Sequence, residues 1–266
     1  MYNMARYLSL ALVVIISSLL LQRVDAQNVS SDNCTTGVHA IISRGQGAGD
    51  HLNVMLSLQS LILEQIPGST SLGLPYDHDA DNKFTAVYHG AQLLQKYVRE
   101  YVASCPDAKV AVVGYSMGAC LTMDAICGTS SVGFIPVSAL ESSYTKNVIA
   151  VIAYGDETYF PGQLWNVGNC TLGIGVDKIP QEFPRLNPRS CNPYEASLHS
   201  YCDYGDSQCE NTLSLWINGG SWKLTNNLFI GCGIYPLDNN AAHHTYIEKY
   251  DQDVVDFIQS RLKEGA

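Results

Sequence analysis

Positive charge is scarce in this sequence. Lysine and arginine number 15 against 25 aspartates and glutamates, a formal net charge of −10, and the acids are scattered rather than gathered in a tail. That balance argues against nucleic acid or an anionic membrane as the working partner and favours an uncharged substrate. Beyond the first two dozen residues no stretch is apolar for long enough to cross a bilayer. No internal repeat is present, and no linker marks a second domain. Cysteines and histidines nowhere take the spacing of a metal site. The nearest string to a phosphate-binding loop, Gly45-Gln46-Gly47-Ala48-Gly49, lacks the lysine and the serine or threonine that such a loop requires. No metal and no cofactor is expected.

What is present begins with an export signal. Arg6 precedes an apolar run from Leu8 to Leu21, and Val24-Asp25-Ala26 supplies the small residues of a cleavage site. The run is short for a membrane anchor. Residues 1–26 therefore read as a secretory signal peptide and 27–266 as one domain with a full core, secreted to the extracellular space and expected to be a monomer. The nine cysteines fit an oxidising compartment and a disulfide framework, with at least one left unpaired. Asn28, Asn33 and Asn169 stand in glycosylation sequons.

Val38 to Ser43 reads as a buried strand ending in a turn at Arg44-Gly45, followed by a helix over Leu52–Ile66 that stops at Pro67-Gly68. A second helix carries Val87, Ala91, Leu94, Val98 and Val102 on one stripe and ends at Cys105-Pro106. Lys109–Tyr115 and Val148–Tyr154 are β-branched and nearly all apolar, as strands covered on both faces are. Met117–Cys127 can form a helix, and a last one carries Val254, Phe257, Ile258 and Leu262. This alternation predicts an α/β fold, a doubly wound and mainly parallel sheet with helices on both faces. From Gly155 to Tyr235 the periodicity fades into a Gly-, Pro- and Asn-rich stretch bearing Cys170, Cys191, Cys202 and Cys209.

Gly114-Tyr115-Ser116-Met117-Gly118 falls at a strand-to-helix junction, the setting that turns a common string into a nucleophile elbow. So tight a turn strains the serine backbone and leaves room only for glycine two residues to either side. Ser116 would then project above the sheet at a helix N-terminus, whose free N–H groups favour a developing oxyanion. A serine needs an imidazole to take its proton and a carboxylate to fix the imidazole tautomer, in the chain order serine, acid, histidine. The acid candidates, Asp203 and Asp206, lie between Cys202 and Cys209. Either can serve on chemistry alone, although turn capping is the preferred reading of Asp203. Only His243 and His244 follow that loop, so one is the base and the other a solvated loop residue. His39, His51, His78, His89 and His199 read as surface or core histidines.

With these residues in place the chain resembles the fungal cutinases and acetylxylan esterases, small α/β-hydrolases, over nearly its whole mature length. Ser43-Arg44-Gly45, the elbow, Cys202-x-x-Gly205-Asp206-x-x-Cys209, and His243-x-x-Tyr246 followed by Phe257 carry the resemblance. It implies a catalytic set of Ser116, Asp206 and His243, with the oxyanion held at Met117 and Gln46. Both of these depart from the family's commoner glutamine after the serine and hydroxyl in the turn, and a lost donor costs about a hundredfold or more in rate. It also implies disulfides Cys34–Cys105 and Cys202–Cys209, with Cys170–Cys191 a weaker inference and Cys120, Cys127 and Cys232 unassigned. Tyr154-Gly155-Asp156, Pro161-Gly162, Asn166-Val167-Gly168 and His243-x-x-Tyr246-x-x-x-Tyr250 resemble acetylxylan esterases more than cutinases. The expected activity is deacetylation of acetylated xylan, with cutin or other long-acyl esters as the alternative. A wall-binding protein with weakened catalysis is a third reading. The segment 210–240, with Trp216, Trp222 and Phe229, is longer than usual and is expected either to border the site or to be an inert surface excursion.

Overall fold

The computed structural model describes residues 34–48, 52–171, 184–209, 216–217, 220–221 and 241–264. The chain divides into two compact units, Met1–Cys34 and Thr35–Ala266, and the fold is that of the second. The expected signal peptide, the sequons at Asn28 and Asn33, His51 and Cys232 lie outside the described residues.

Six parallel strands form one sheet: β1 (Val38–Ser43), β2 (Thr70–Gly73), β3 (Lys109–Tyr115), β4 (Val148–Tyr154), β5 (Asn166–Val167) and β6 (Leu198–Tyr201). They run in the order β2-β1-β3-β4-β6-β5. The three strands expected from the sequence lie side by side within it, because a strand packed on both faces must be apolar at nearly every position. Alternate residues separate cleanly. Val110 and Val112 of β3 face one core, while Ala111 and Val113 face the other.

The first core is closed by α2 (Lys83–Ser104) and α3 (Met117–Cys127), the second by α1 (Leu56–Gln65) and α4 (Tyr246–Glu264). Asn82 caps α2, its side chain accepting the Thr85 N–H at 3.1 Å, as a residue with that geometry does at a helix start. Every residue of α3 is buried, which explains why its sequence shows no polar face. The helix expected over Leu52–Ile66 begins with the 3-10 turn Asn53–Met55 and is α-helical only over Leu56–Gln65.

Among the described residues Cys202 is joined to Cys209 and Cys127 to Cys191. The second corrects the expected Cys170–Cys191 pairing. The 3-10 segment Pro188–Ser197 packs on α3, and this brings Cys191 within 4.6 Å, Cα to Cα, of Cys127 at the end of that helix. Cys34, Cys105 and Cys170 are also disulfide-bonded. Cys120 is free and buried, and burial beside Asp124 and Asp156 pushes its thiol well up. Of the long segment 210–240 only the antiparallel pair β7 (Trp216–Ile217) and β8 (Gly220–Ser221) is described; Trp222 and Phe229 lie outside the described residues. Among the described residues no helix is long and apolar enough to cross a membrane.

Candidate active site

The junction of β3 and α3 makes the turn that the sequence predicts. Ser116 has φ 56° and ψ −125° and is the only described residue other than glycine with positive φ. Such strain persists only where the surroundings enforce it, and here they do. A Cβ at Gly114 would lie 2.2 Å from the Gly118 carbonyl oxygen, and one at Gly118 would lie 2.1 Å from that of Ser43. The Ser116 N–H donates to the Tyr154 carbonyl at 2.9 Å, tying the elbow to the end of β4.

Three side chains from distant parts of the chain meet over this turn. Ser116 Oγ is 2.9 Å from His243 Nε2, and His243 Nδ1 is 2.9 Å from Asp206 Oδ2. Asp206 is fully buried and His243 4% exposed, while Ser116 remains partly open. A buried carboxylate beside Nδ1 favours the tautomer with its proton on that nitrogen, which leaves Nε2 to accept the serine proton. The line is supported from below by Gly155. Its φ is +58°, and a Cβ there would come within 2.7 Å of both Asp206 Oδ2 and His243 Nδ1.

Of the two candidate acids only Asp206 meets the imidazole. Asp203, read as a turn cap, heads the turn in which the Asp206 N–H donates to its carbonyl at 3.1 Å; its side chain is buried and accepts from the Asn169 N–H at 2.9 Å, Tyr250 Oη at 2.7 Å and Lys249 Nζ at 2.6 Å. His244 is exposed as expected, with its Nδ1 3.2 Å from Tyr115 Oη. His39 stacks on Tyr101 and His199 on Phe257, and burial lowers the pKa of both. His78 is buried against Arg44, and His89 is exposed.

Met117 opens α3, so its N–H is one of the first-turn donors that the helix itself leaves unpaired; its side chain is buried in the core. Gln46 is exposed in the turn after β1. Its neighbour Gly45 is pressed so closely on the elbow that a Cβ would stand 3.2 Å from Ser116 Cβ. Asn169 is exposed beside the acid loop, and its Oδ1 accepts the Tyr204 N–H at 2.6 Å.

Sequence reasoning missed two supports. The Tyr115 ring stacks on the His243 ring with centroids 5.0 Å apart, and its hydroxyl donates to the His243 carbonyl at 3.0 Å. The buried Tyr246 hydroxyl donates to Asp206 Oδ2 at 2.6 Å. Both tyrosines stand inside the strings that carry the resemblance, so the signal was there without its meaning.

The cutinase family model matches residues 34–218. An acetylxylan esterase of Hypocrea jecorina is 27% identical, over 91% of this chain and 72% of its own. Acetylxylan esterase 2 of Talaromyces purpureogenus is 25% identical, over 89% and 91%. A solved acetylxylan esterase at 0.90 Å resolution shares the fold with a TM-score of 0.64 at 23% identity, covering 86% of this chain and 99% of that one.

Proposed function

This chain belongs to the cutinase family and is a carboxylic ester hydrolase; from that premise we propose that it is a secreted esterase that removes acetyl groups from acetylated xylan. Ser116 is its nucleophile, His243 its general base and Asp206 the acid that orients the base. The observation that carries the reading is the unbroken line of hydrogen bonds from Ser116 Oγ through His243 to Asp206.

In the first half-reaction Ser116 Oγ attacks the ester carbonyl while His243 Nε2 takes its proton, and the imidazolium returns that proton to the departing alcohol. Water, deprotonated by the same nitrogen, then hydrolyses the acyl-enzyme. The tetrahedral oxyanion is received by the Met117 N–H and by the turn at Gln46, where backbone donation does the work that a side-chain hydroxyl does in other members. An export signal over residues 1–26 delivers the domain outside the cell, where the disulfides hold.

Acetate as the acyl group is favoured because the chain stands closer to the acetylxylan esterases of its family. The test is an acyl-length series of p-nitrophenyl esters with release of acetate from acetylated xylan, run beside Ser116→Ala. The expected result is a preference for acetyl over longer chains and a loss of about 10⁴-fold or more in the variant. A preference for long acyl chains without acetate release from xylan would move the assignment to a cutinase-type polyester hydrolase, and full activity in Ser116→Ala would end it.

A further inference from the structure

Serine, imidazole and carboxylate account for the proton transfers of the reaction, yet the carboxylate is held by more than the imidazole. Asp206 Oδ2 takes two donors, His243 Nδ1 at 2.9 Å and the Tyr246 hydroxyl at 2.6 Å, and Oδ1 takes the Gln208 N–H at 2.8 Å. Tyr246 is fully buried, and its oxygen in turn accepts the Asp203 N–H at 2.8 Å. Burial and the neighbouring Asp206 carboxylate push its phenol well up, so the hydroxyl stays a donor at every working pH.

The anchor extends outward along one face of α4. Tyr246, Lys249 and Tyr250 stand at helical spacing on that face, and the last two hold the Asp203 carboxylate at 2.6 and 2.7 Å. The loop they grip is closed by Cys202–Cys209. An N–H donated to the phenol oxygen polarises the O–H and strengthens what it gives to Asp206. A carboxylate so engaged cannot rotate away from Nδ1, and part of its charge is already neutralised before the imidazole draws on it. Among the described residues the titratable groups facing Asp206 are His243, Tyr246 and, from β3, Tyr115.

We propose that Tyr246 is a positioning residue of the esterase reaction: its hydroxyl, gripped by the Asp203 backbone, fixes Asp206 against His243 and takes up part of the carboxylate's hydrogen-bonding capacity. The inference rests on the assignment of Ser116, His243 and Asp206 as the reacting set. Losing the phenol leaves a carboxylate that pulls harder on the imidazolium and holds it less well in place.

The experiment compares the full-length protein with Tyr246→Phe on p-nitrophenyl acetate between pH 5 and 9, alongside thermal melts. In Tyr246→Phe, kcat is expected to fall about tenfold to a hundredfold with KM little changed, and the acid limb of kcat/KM to move to higher pH. Replacement of Tyr246 by 3-fluorotyrosine keeps ring and hydroxyl but donates more strongly, and is expected to move that limb the other way. A purely structural tyrosine would lower the melting temperature and leave the limb in place in both variants, and that result overturns the inference. If Tyr246→Phe does not fold, the fluorotyrosine protein alone decides, an unmoved limb again overturning it. Ser116→Ala separates the two levels: inactivity there with an unmoved limb sinks only the role of Tyr246, whereas retained activity sinks the reacting set itself.

Discussion

At the scale of single residues the site depends as much on a missing side chain as on those present. Gly155 occupies positive φ directly beneath the imidazole-carboxylate pair, and the nearest atoms to any Cβ are the two that share the proton. Gly155→Ala is expected to leave the sheet intact, since the turn ends β4 rather than interrupting it. It should push His243 and Asp206 apart and lower kcat about a hundredfold or more, as misplacement by an ångström does in a preorganised site. Steady-state kinetics with a circular-dichroism melt checks this; normal kcat in a folded protein would contradict it. Ser116 was legible because its strained elbow has to be written locally, in the glycines on either side. Asp206 and His243 were legible as candidates by chain order; the turn-capping reading of Asp203 already leaned toward Asp206, and only the resemblance chose His243 over His244. Gly155 stood in the Tyr154-Gly155-Asp156 string without showing its role, because what forbids a side chain there arrives from residues far along the chain.

At the scale of elements, the long strands announce themselves and the short ones flanking them do not. β1, β3 and β4 are apolar at every position but His39, Ser43 and Lys109, because helices cover both their faces. β2, β5 and β6 are four residues or fewer and include Thr70, Asn166 and His199, so pairing to a neighbour, not composition, makes them strands. The seam between α1 and α4 holds a further feature that periodicity hides. Asp251 lies on the buried stripe of α4, its Oδ2 accepting the Ser57 hydroxyl at 2.6 Å. Burial raises its carboxyl from 3.8 to about 6, against the lowering effect of Ser57. The folded state therefore binds this proton more tightly than the unfolded chain, so the stabilising contribution is full below about pH 4 and is lost as pH rises to about 6. Asp251→Asn removes the ionisation. Its stability relative to the parent is expected to rise by about 1–3 kcal/mol between pH 4 and pH 7 and then to level off. Urea unfolding at several pH values measures that difference, and a flat one would mean that the carboxyl is not held out of water.

At the scale of the whole molecule, a buried ionic cluster joins parts of the chain that no motif or periodicity associates. Arg185 is 2% exposed, Asp124 of α3 fully buried and Asp156, one residue past Gly155, 1% exposed. Arg185 Nη2 donates to Asp124 Oδ1 at 2.7 Å and to Thr158 Oγ1 at 3.1 Å, and Thr158 donates on to Asp156 at 2.8 Å. Burial drives the Asp156 carboxyl up against the pull of Arg185. One guanidinium thus serves two carboxylates between the helix behind the nucleophile and the strand end beneath the imidazole. Such a cluster leaves no periodic trace, for a lone Arg in a loop and an Asp in an apolar helix read as surface until the fold encloses them. Arg185→Met keeps the volume and removes the charge, leaving both acids uncompensated in the core, so a loss of about 3–5 kcal/mol is expected at pH 8. Because the stranded carboxyls escape their cost by protonation, the deficit should shrink as pH falls toward 5. Chemical unfolding of both proteins at the two pH values tests the argument. A deficit equal at both would mean that Arg185 contributes packing alone, and none at all would mean that the cluster holds nothing together.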